Sequence, residues 1–237
     1  MSRSWTYFGS GLPYLRENEW PGHLIVMEGA DGCGRSTQIA LLKDWLEQKG
    51  RAVLDTGLRR STLVSRMITR AKRGNLLGRT TLSLLYATDL ADQLENRMIP
   101  ALRSGFVVLA DRYIFAMMAR DLVRGARRDW TEQLFGFALR PDLTIYLKTS
   151  PEERLRWSLA KSPFLDYWES GMDLGLAADR FTSYLRYQSL LQEQYDRMAT
   201  QYGFTVVDGG ASRQAVHQQV KARVQAVLEG GESAVSS

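Results

Sequence analysis

Apolar positions along this chain fall into two rhythms. Short runs at 24–27, 52–54, 106–110, 143–147 and 204–207 have the length and β-prone composition of strands buried on both faces of a sheet. Between them, apolar residues recur at three- and four-residue spacing. That pattern predicts helices from about 39 to Gly50, through a long region that follows the loop at 59–62, breaks near 74–78 and continues through 82–102, and at 115–123, 130–138, 181–198 and 215–228. Local punctuation agrees with this division. Gly50 and Gly105 stand where helices should stop, and Pro151-Glu152-Glu153 has the proline and acids of a helix start. Strands alternating with helices predict an α/β fold, a parallel sheet with helices on both faces in three layers, as one domain.

Three stretches fit neither rhythm. Residues 1–22 carry Trp5, Tyr7, Phe8, Tyr14 and Trp20 among glycine and proline, and read as an extended aromatic arm packed on the domain or on a second subunit. Residues 162–178, with Pro163, Gly171 and Gly175, read as a mobile flap, and the Gly/Ser-rich end from Gly230 as a frayed tail. The expected division is therefore an extension at 1–22, a domain at 23–229 and a tail at 230–237.

One stretch organises the rest. Glu28-Gly29-Ala30-Asp31-Gly32-Cys33-Gly34-Arg35-Ser36-Thr37 follows the first apolar run and opens the first helix. A buried strand, a glycine-rich turn and a helix start form a phosphate cradle, because free backbone N–H groups at a helix N-terminus converge on an anion. The stretch fits G-x-x-x-x-G-K-[ST] except that Arg35 stands in the lysine position. A second cluster, Asp111-Arg112-Tyr113, sits at the C-terminal end of the 106–110 run, where open α/β sheets place ligands.

Composition narrows the partners. The chain has 237 residues, 44% of them hydrophobic, which supplies a sizeable core. Its net charge of +5 comes from 31 Lys and Arg against 26 Asp and Glu, with arginine heavily favoured, a skew that suits bidentate phosphate recognition. No block of five or more basic residues occurs, so a nucleic-acid partner is not expected. With Cys33 as the single cysteine, neither an intramolecular disulfide nor a multi-thiolate zinc site can form. No apolar run approaches the roughly 20 residues that span a bilayer, and the N-terminus lacks a signal-type segment. A cytoplasmic protein with no membrane partner is the expectation.

Taken together, residues 28–38, Leu84-Leu85-Tyr86-Ala87, Asp111-Arg112-Tyr113 and the stretch from Arg140 to Leu147 resemble the thymidylate kinase family of P-loop nucleoside monophosphate kinases, over roughly 23–228. The resemblance implies ATP and Mg²⁺ as cofactors, a nucleoside monophosphate (dTMP first) as acceptor, and a homodimer as an open question. By the same resemblance, Gly29, Gly32, Gly34, Arg35, Ser36 and Thr37 bind the donor phosphates, and Ser36 and Asp111 serve the metal. Asp31, Arg60, Tyr86 and Arg112 hold the acceptor, with Asp31, Arg35 and Arg112 at the chemistry. Arg154, Arg156 and Lys161 are the flap-side cations. Leu90, Arg120 and Asp121 depart from the family's base-pocket pattern. Two other readings stay open at this point: a nucleotide-binding regulatory or subunit protein with weak or no kinase activity, and a polyphosphate-using kinase.

Overall fold

The computed structural model describes residues 3–15, 19–74, 78–162 and 164–233. Its strands are β1 (Arg3–Ser4), β2 (Glu19–Trp20), β3 (His23–Glu28), β4 (Val53–Gly57), β5 (Val107–Asp111), β6 (Leu143–Lys148) and β7 (Thr205–Asp208). The last five form one sheet in the order β4-β5-β3-β6-β7, every pair parallel. The glycine-rich turn leaves the central strand, β3, and Asp111 ends its neighbour β5 in register with Met27. That register brings the two sequence clusters to one edge of the sheet.

The helices are α1 (Arg35–Gln48), α2 (Ser65–Gly74), α3 (Arg79–Gln93), α4 (Ile99–Arg103), α5 (Ile114–Val123), α6 (Arg128–Leu134), α7 (Pro151–Lys161), α8 (Arg180–Tyr202) and α9 (Arg213–Ser233). Because successive strand residues point to opposite faces, each strand feeds two cores. Leu24, Val26, Val108, Ala110 and Tyr146 pack with Leu90, Phe115, Leu191 and Tyr195 from α3, α5 and α8. Ile25, Met27, Val107, Leu109, Ile145 and Leu147 pack against Ile39, Leu42 and Leu46 of α1 and Val216, Val220 and Val224 of α9. The result is the three-layer α/β sheet that strand and helix alternation predicts.

Several boundaries differ from expectation. The 82–102 helix is broken by a π-helical turn, Leu94–Met98, just before Pro100. Proline lacks an N–H and its ring crowds the carbonyl four residues back, and the wider turn absorbs both. The 130–138 helix starts earlier and stops at Leu134. Gly136 and Ala138 turn their carbonyls to the N-terminal arm, accepting from Gly9 and Phe8 at 2.8 and 3.0 Å. Trp5 and Trp20 of that arm are buried, 6.1 Å apart by ring centroid. Residues 164–179 form turns and a single 3₁₀ turn, Met172–Leu174, with Leu165 and Ser170 buried. At the other end α9 runs through Gly230 to Ser233, and the rest of the expected tail lies outside the described residues. Among the described residues no helix is long and apolar enough to cross a membrane.

Candidate active site

The turn after β3 needs its glycines for two distinct reasons. Gly29 has φ +146°, and a Cβ there would meet Cys33 Sγ at 2.7 Å and the Leu147 carbonyl oxygen at 2.8 Å. Gly32 and Gly34, at φ +81° and +89°, occupy the left-handed region that side chains disfavour. The chain then enters α1 at Arg35, so the unpaired N–H groups of a first helical turn lie at the head of the central strand.

Asp111 joins this turn to β5. Ser36 Oγ donates to Asp111 Oδ2 at 2.7 Å, and Arg35 Nε donates to Asp111 Oδ1 at 2.9 Å. Arg35 Nη1 also donates to the carbonyls of Gly29 and Ala30, and lies 3.2 Å from Cys33 Sγ. Arg35 is thus buried as a fork that ties the turn to β5 while still lining the chamber beyond it. Burial raises the Asp111 pKa, but Arg35 and the Ser36 hydrogen bond outweigh it and hold the carboxyl below its usual range. Thr37 is exposed in the first turn of α1.

Arg112 carries an unusual backbone, with φ +72°, and its N–H donates to the Met27 carbonyl at 2.9 Å. A non-glycine residue in that region is strained, and such strain clusters where a side chain must be aimed. Here it aims Nη2 at the carboxylate of Asp31, which also accepts from Arg120 Nη2 at 3.2 Å. Burial would raise the Asp31 pKa, yet Arg112, Arg120 and Arg35 together hold it well below the carboxylate range. Asp31, Arg35, Ser36, Arg60, Asp111 and Arg112 meet around a chamber of about 250 Å³. It is polar, cationic on balance and open to solvent, which is what an anionic tail requires.

Elsewhere on the chamber wall, Arg60 pairs with Asp55 at 3.0 Å and stays partly exposed. Its loop is held by Asp89, whose two oxygens accept from the N–H groups of Arg59 and Ser61 at 2.7 and 3.0 Å. Gln93 in turn donates to Asp89 at 3.0 Å and to the Gly57 carbonyl at 2.9 Å. Tyr86 is buried where the chamber meets a narrow pocket of about 50 Å³, whose walls include Leu82, Met117, Trp168 and Tyr187. Arg120 and Asp121 line this pocket, whereas Leu90 lies in the hydrophobic core and is not among its lining residues. Glu169 stands at the mouth, its pKa raised to about 7 by burial and by the charges of Asp31 and Asp166.

The flap-side cations separate clearly. Arg154 is buried against the turn, its Cβ 4.0 Å from where a Cβ on Gly32 would sit, and Nη1 donates to Gln188 Oε1 at 2.7 Å. Its Nη2 has no hydrogen-bond partner among the described residues. Arg156 is exposed, and the side chain of Lys161 lies outside the described residues. Arg154 starts from a well-built helix: Ser150 and Glu153 form a reciprocal capping box around Pro151.

Two residues behind the site, Asp89 and Gln93, lie in no motif, and a third, Glu28, opens the glycine-rich stretch without belonging to its G-x-x-x-x-G-K-[ST] pattern. Asp89 and Gln93 are polar residues four apart on the buried stripe of α3, a spacing that signals a satisfied internal pair. Glu28 is fully buried at the end of β3, accepting from the Tyr113 N–H at 2.8 Å and the Tyr195 hydroxyl at 3.2 Å. A charged residue closing an apolar strand run was the available signal.

Comparison with known proteins agrees with this geometry. A family model described as thymidylate kinase matches residues 27–220. A probable thymidylate kinase 2 from Saccharolobus solfataricus is 40% identical over 192 residues, covering 79% of this chain and 88% of the relative. A probable thymidylate kinase from Pyrococcus abyssi is 30% identical over 216 residues, 88% of this chain and 98% of the relative. The thymidylate kinase of Clavibacter sepedonicus is 33% identical over 234 residues, 90% of this chain and 99% of the relative.

Proposed function

This chain belongs to the thymidylate kinase family of ATP-dependent nucleoside monophosphate kinases, and from that premise we propose that it transfers the γ-phosphoryl of ATP to dTMP with Mg²⁺ as the assisting ion. The observation that carries the reading is the contact between Arg112 on one strand end and Asp31 in the neighbouring turn, beside the Ser36–Asp111 pair. Two anion-facing groups on separate elements converge there, and in-line phosphoryl transfer needs positioning and positive charge more than covalent chemistry.

The amides around Gly29, Gly32 and Gly34 and the start of α1 at Ser36 and Thr37 cradle the donor phosphates. Arg35 keeps that turn in shape while adding its charge beneath it. Ser36 Oγ and Asp111 offer hard oxygen donors, one of them a carboxylate ionised at neutral pH, which fits Mg²⁺ with its remaining ligands from water and phosphate. An ion held by Ser36 and Asp111 would supply positive charge to offset the negative charge of the transferring phosphoryl group. Arg112 and Arg60 hold the acceptor phosphate, Asp31 orients Arg112 and Arg120, and Tyr86 packs on the acceptor's ring. Arg154 brings a further cation to the turn from α7. A free thiol at Cys33 suits a reducing cytoplasm.

Chromatographic measurement of nucleoside diphosphate formed from each monophosphate, with ATP and with polyphosphate as donor, tests the proposal. ATP-dependent turnover of dTMP above the other acceptors is the expected result, and absence of turnover on any acceptor would defeat it.

A further inference from the structure

Three cavities lie in series. The phosphate chamber and the narrow pocket share Asp31, Tyr86, Arg120 and Glu169. That pocket and a third, larger cleft share Arg79, Ser83, Asp121 and Arg124. The cleft, about 590 Å³, opens between α3 and the α5–α6 connection, with Thr80, Arg127 and Trp130 among its walls. An acceptor whose phosphate is held by Arg60 and Arg112 must point its base down this series.

Pyrimidine nucleotides are bonded to the sugar through N1, so their N3–C4–C5 edge is the part remote from the phosphate. The intervening pocket is only about 50 Å³, so a ring seated there brings that edge to the shared wall. At this wall Asp121 carries a buried oxygen, Oδ2, with no hydrogen-bond partner among the described residues, while the Ser83 hydroxyl beside it donates to the Arg79 carbonyl at 3.1 Å. Buried polar atoms are nearly always satisfied, and an exception in a binding cavity marks a place for a ligand group. The charged residues lining the two cavities that share it are Arg79, Arg120, Arg124 and Arg127, with Asp31, Glu169 and Asp129 of opposite sign. Arg124 is already engaged by Asp173 at 2.9 and 3.0 Å and by Tyr187 at 2.6 Å, and Arg120 by Asp31.

We propose that the acceptor site is open at its outer end and takes pyrimidine nucleoside monophosphates enlarged on that edge, with Asp121 receiving an O–H or N–H donor on the substituent. Burial pushes the Asp121 carboxyl up to about 6 against the opposing Arg124 and Arg120 charges, so above that pH it is ionised and an acceptor.

The inference rests on the monophosphate kinase reading, and its test separates the two. Steady-state kinetics are measured with dTMP, 5-propynyl-dUMP and 5-(3-hydroxypropynyl)-dUMP, which differ in length and then in one hydroxyl. Wild-type protein is expected to use both propynyl compounds with kcat/KM within about tenfold of dTMP, and to prefer the hydroxyl-bearing one by about tenfold, the scale of a hydrogen bond to a charged group. Asp121→Leu should abolish that preference. Thr80→Trp, which fills the cleft, should lower kcat/KM for both long compounds relative to dTMP. Turnover of dTMP with rejection of both propynyl compounds by more than about a hundredfold, roughly 2.7 kcal/mol, would overturn the inference and leave the kinase reading intact. So would a hydroxyl preference that persists in Asp121→Leu, or a Thr80→Trp variant with no length selectivity. Absence of turnover on all three would bring down the kinase reading and this inference with it.

Discussion

The guanidinium of Arg112, at the head of β5, hydrogen-bonds the carboxylate of Asp31 in the turn that follows β3. Both are constrained from outside the pair: Arg112 is aimed by a left-handed backbone, and Asp31 is mostly enclosed beside three arginines. An arginine that meets transferring phosphoryl oxygens is worth about 10³-fold or more in rate. Arg112→Ala should therefore lower kcat by about that factor. Arg112→Lys, which keeps the charge but loses the fork, should recover only part of it. Stopped-time assays of ADP release on both variants, alongside thermal melts, check the expectation.

Arg35 replaces a lysine of the phosphate-loop pattern, and its bonds run to Asp111 and to two carbonyls of its own turn. A lysine ammonium cannot bridge Asp111 and those carbonyls in the same way, because it lacks the planar fork. Arg35→Ala leaves a buried carboxylate and two carbonyls short of partners, and should destabilise the protein by about 3 kcal/mol. It should also raise the KM for ATP by about tenfold or more, through the loosened turn. Arg35→Lys should fall between Arg35→Ala and wild type on both measures. Urea denaturation and ATP titration of the initial rate provide the readings.

The sheet was legible because strands buried on both faces show as unbroken apolar runs, and the phosphate turn because glycines at fixed spacing have few other uses. Side-chain partnerships were harder to read. Arg35 fits the motif as a phosphate ligand, yet its bonds to the turn's carbonyls depend on backbone geometry that no residue spacing reports. Leu90, a departure from the base-pocket pattern, lies in the core, because one residue's rotation on α3 separates the pocket face from the sheet face. The partners of Asp89 and Glu28 were likewise hidden, because a carboxylate buried against backbone N–H groups shows in the sequence only as a lone acid beside apolar residues.

Asp89 reaches no part of the chamber, but it fixes the backbone of the loop that presents Arg60. Removing its carboxylate frees the N–H groups of Arg59 and Ser61, and Arg59 has φ +61°, a conformation that an untied loop would leave. Asp89→Ala should raise the KM for the monophosphate acceptor by about tenfold while changing the KM for ATP far less, since the donor cradle sits on other elements. Asp89→Asn keeps one acceptor oxygen and should show a smaller effect. Bisubstrate kinetics distinguish the two constants.

Glu28 is fully buried, and its pKa is raised to about 7, because desolvation outweighs the Tyr113 N–H and the Arg112 and Arg35 charges. In the unfolded chain a glutamate titrates near 4.3. Between these values the folded state binds the proton more tightly than the unfolded state, so stability falls as pH rises from about 4.5 to 7 and levels above it. Glu28→Gln removes this titration but keeps a side chain that can accept from Tyr113. The difference in unfolding free energy between the variant and wild type should therefore shift in the variant's favour by about 2 to 4 kcal/mol on going from pH 4.5 to 7.5. Urea unfolding of both proteins at the two pH values measures it. A difference that stays constant across that range would mean that Glu28 is already ionised in the folded protein at the lower pH.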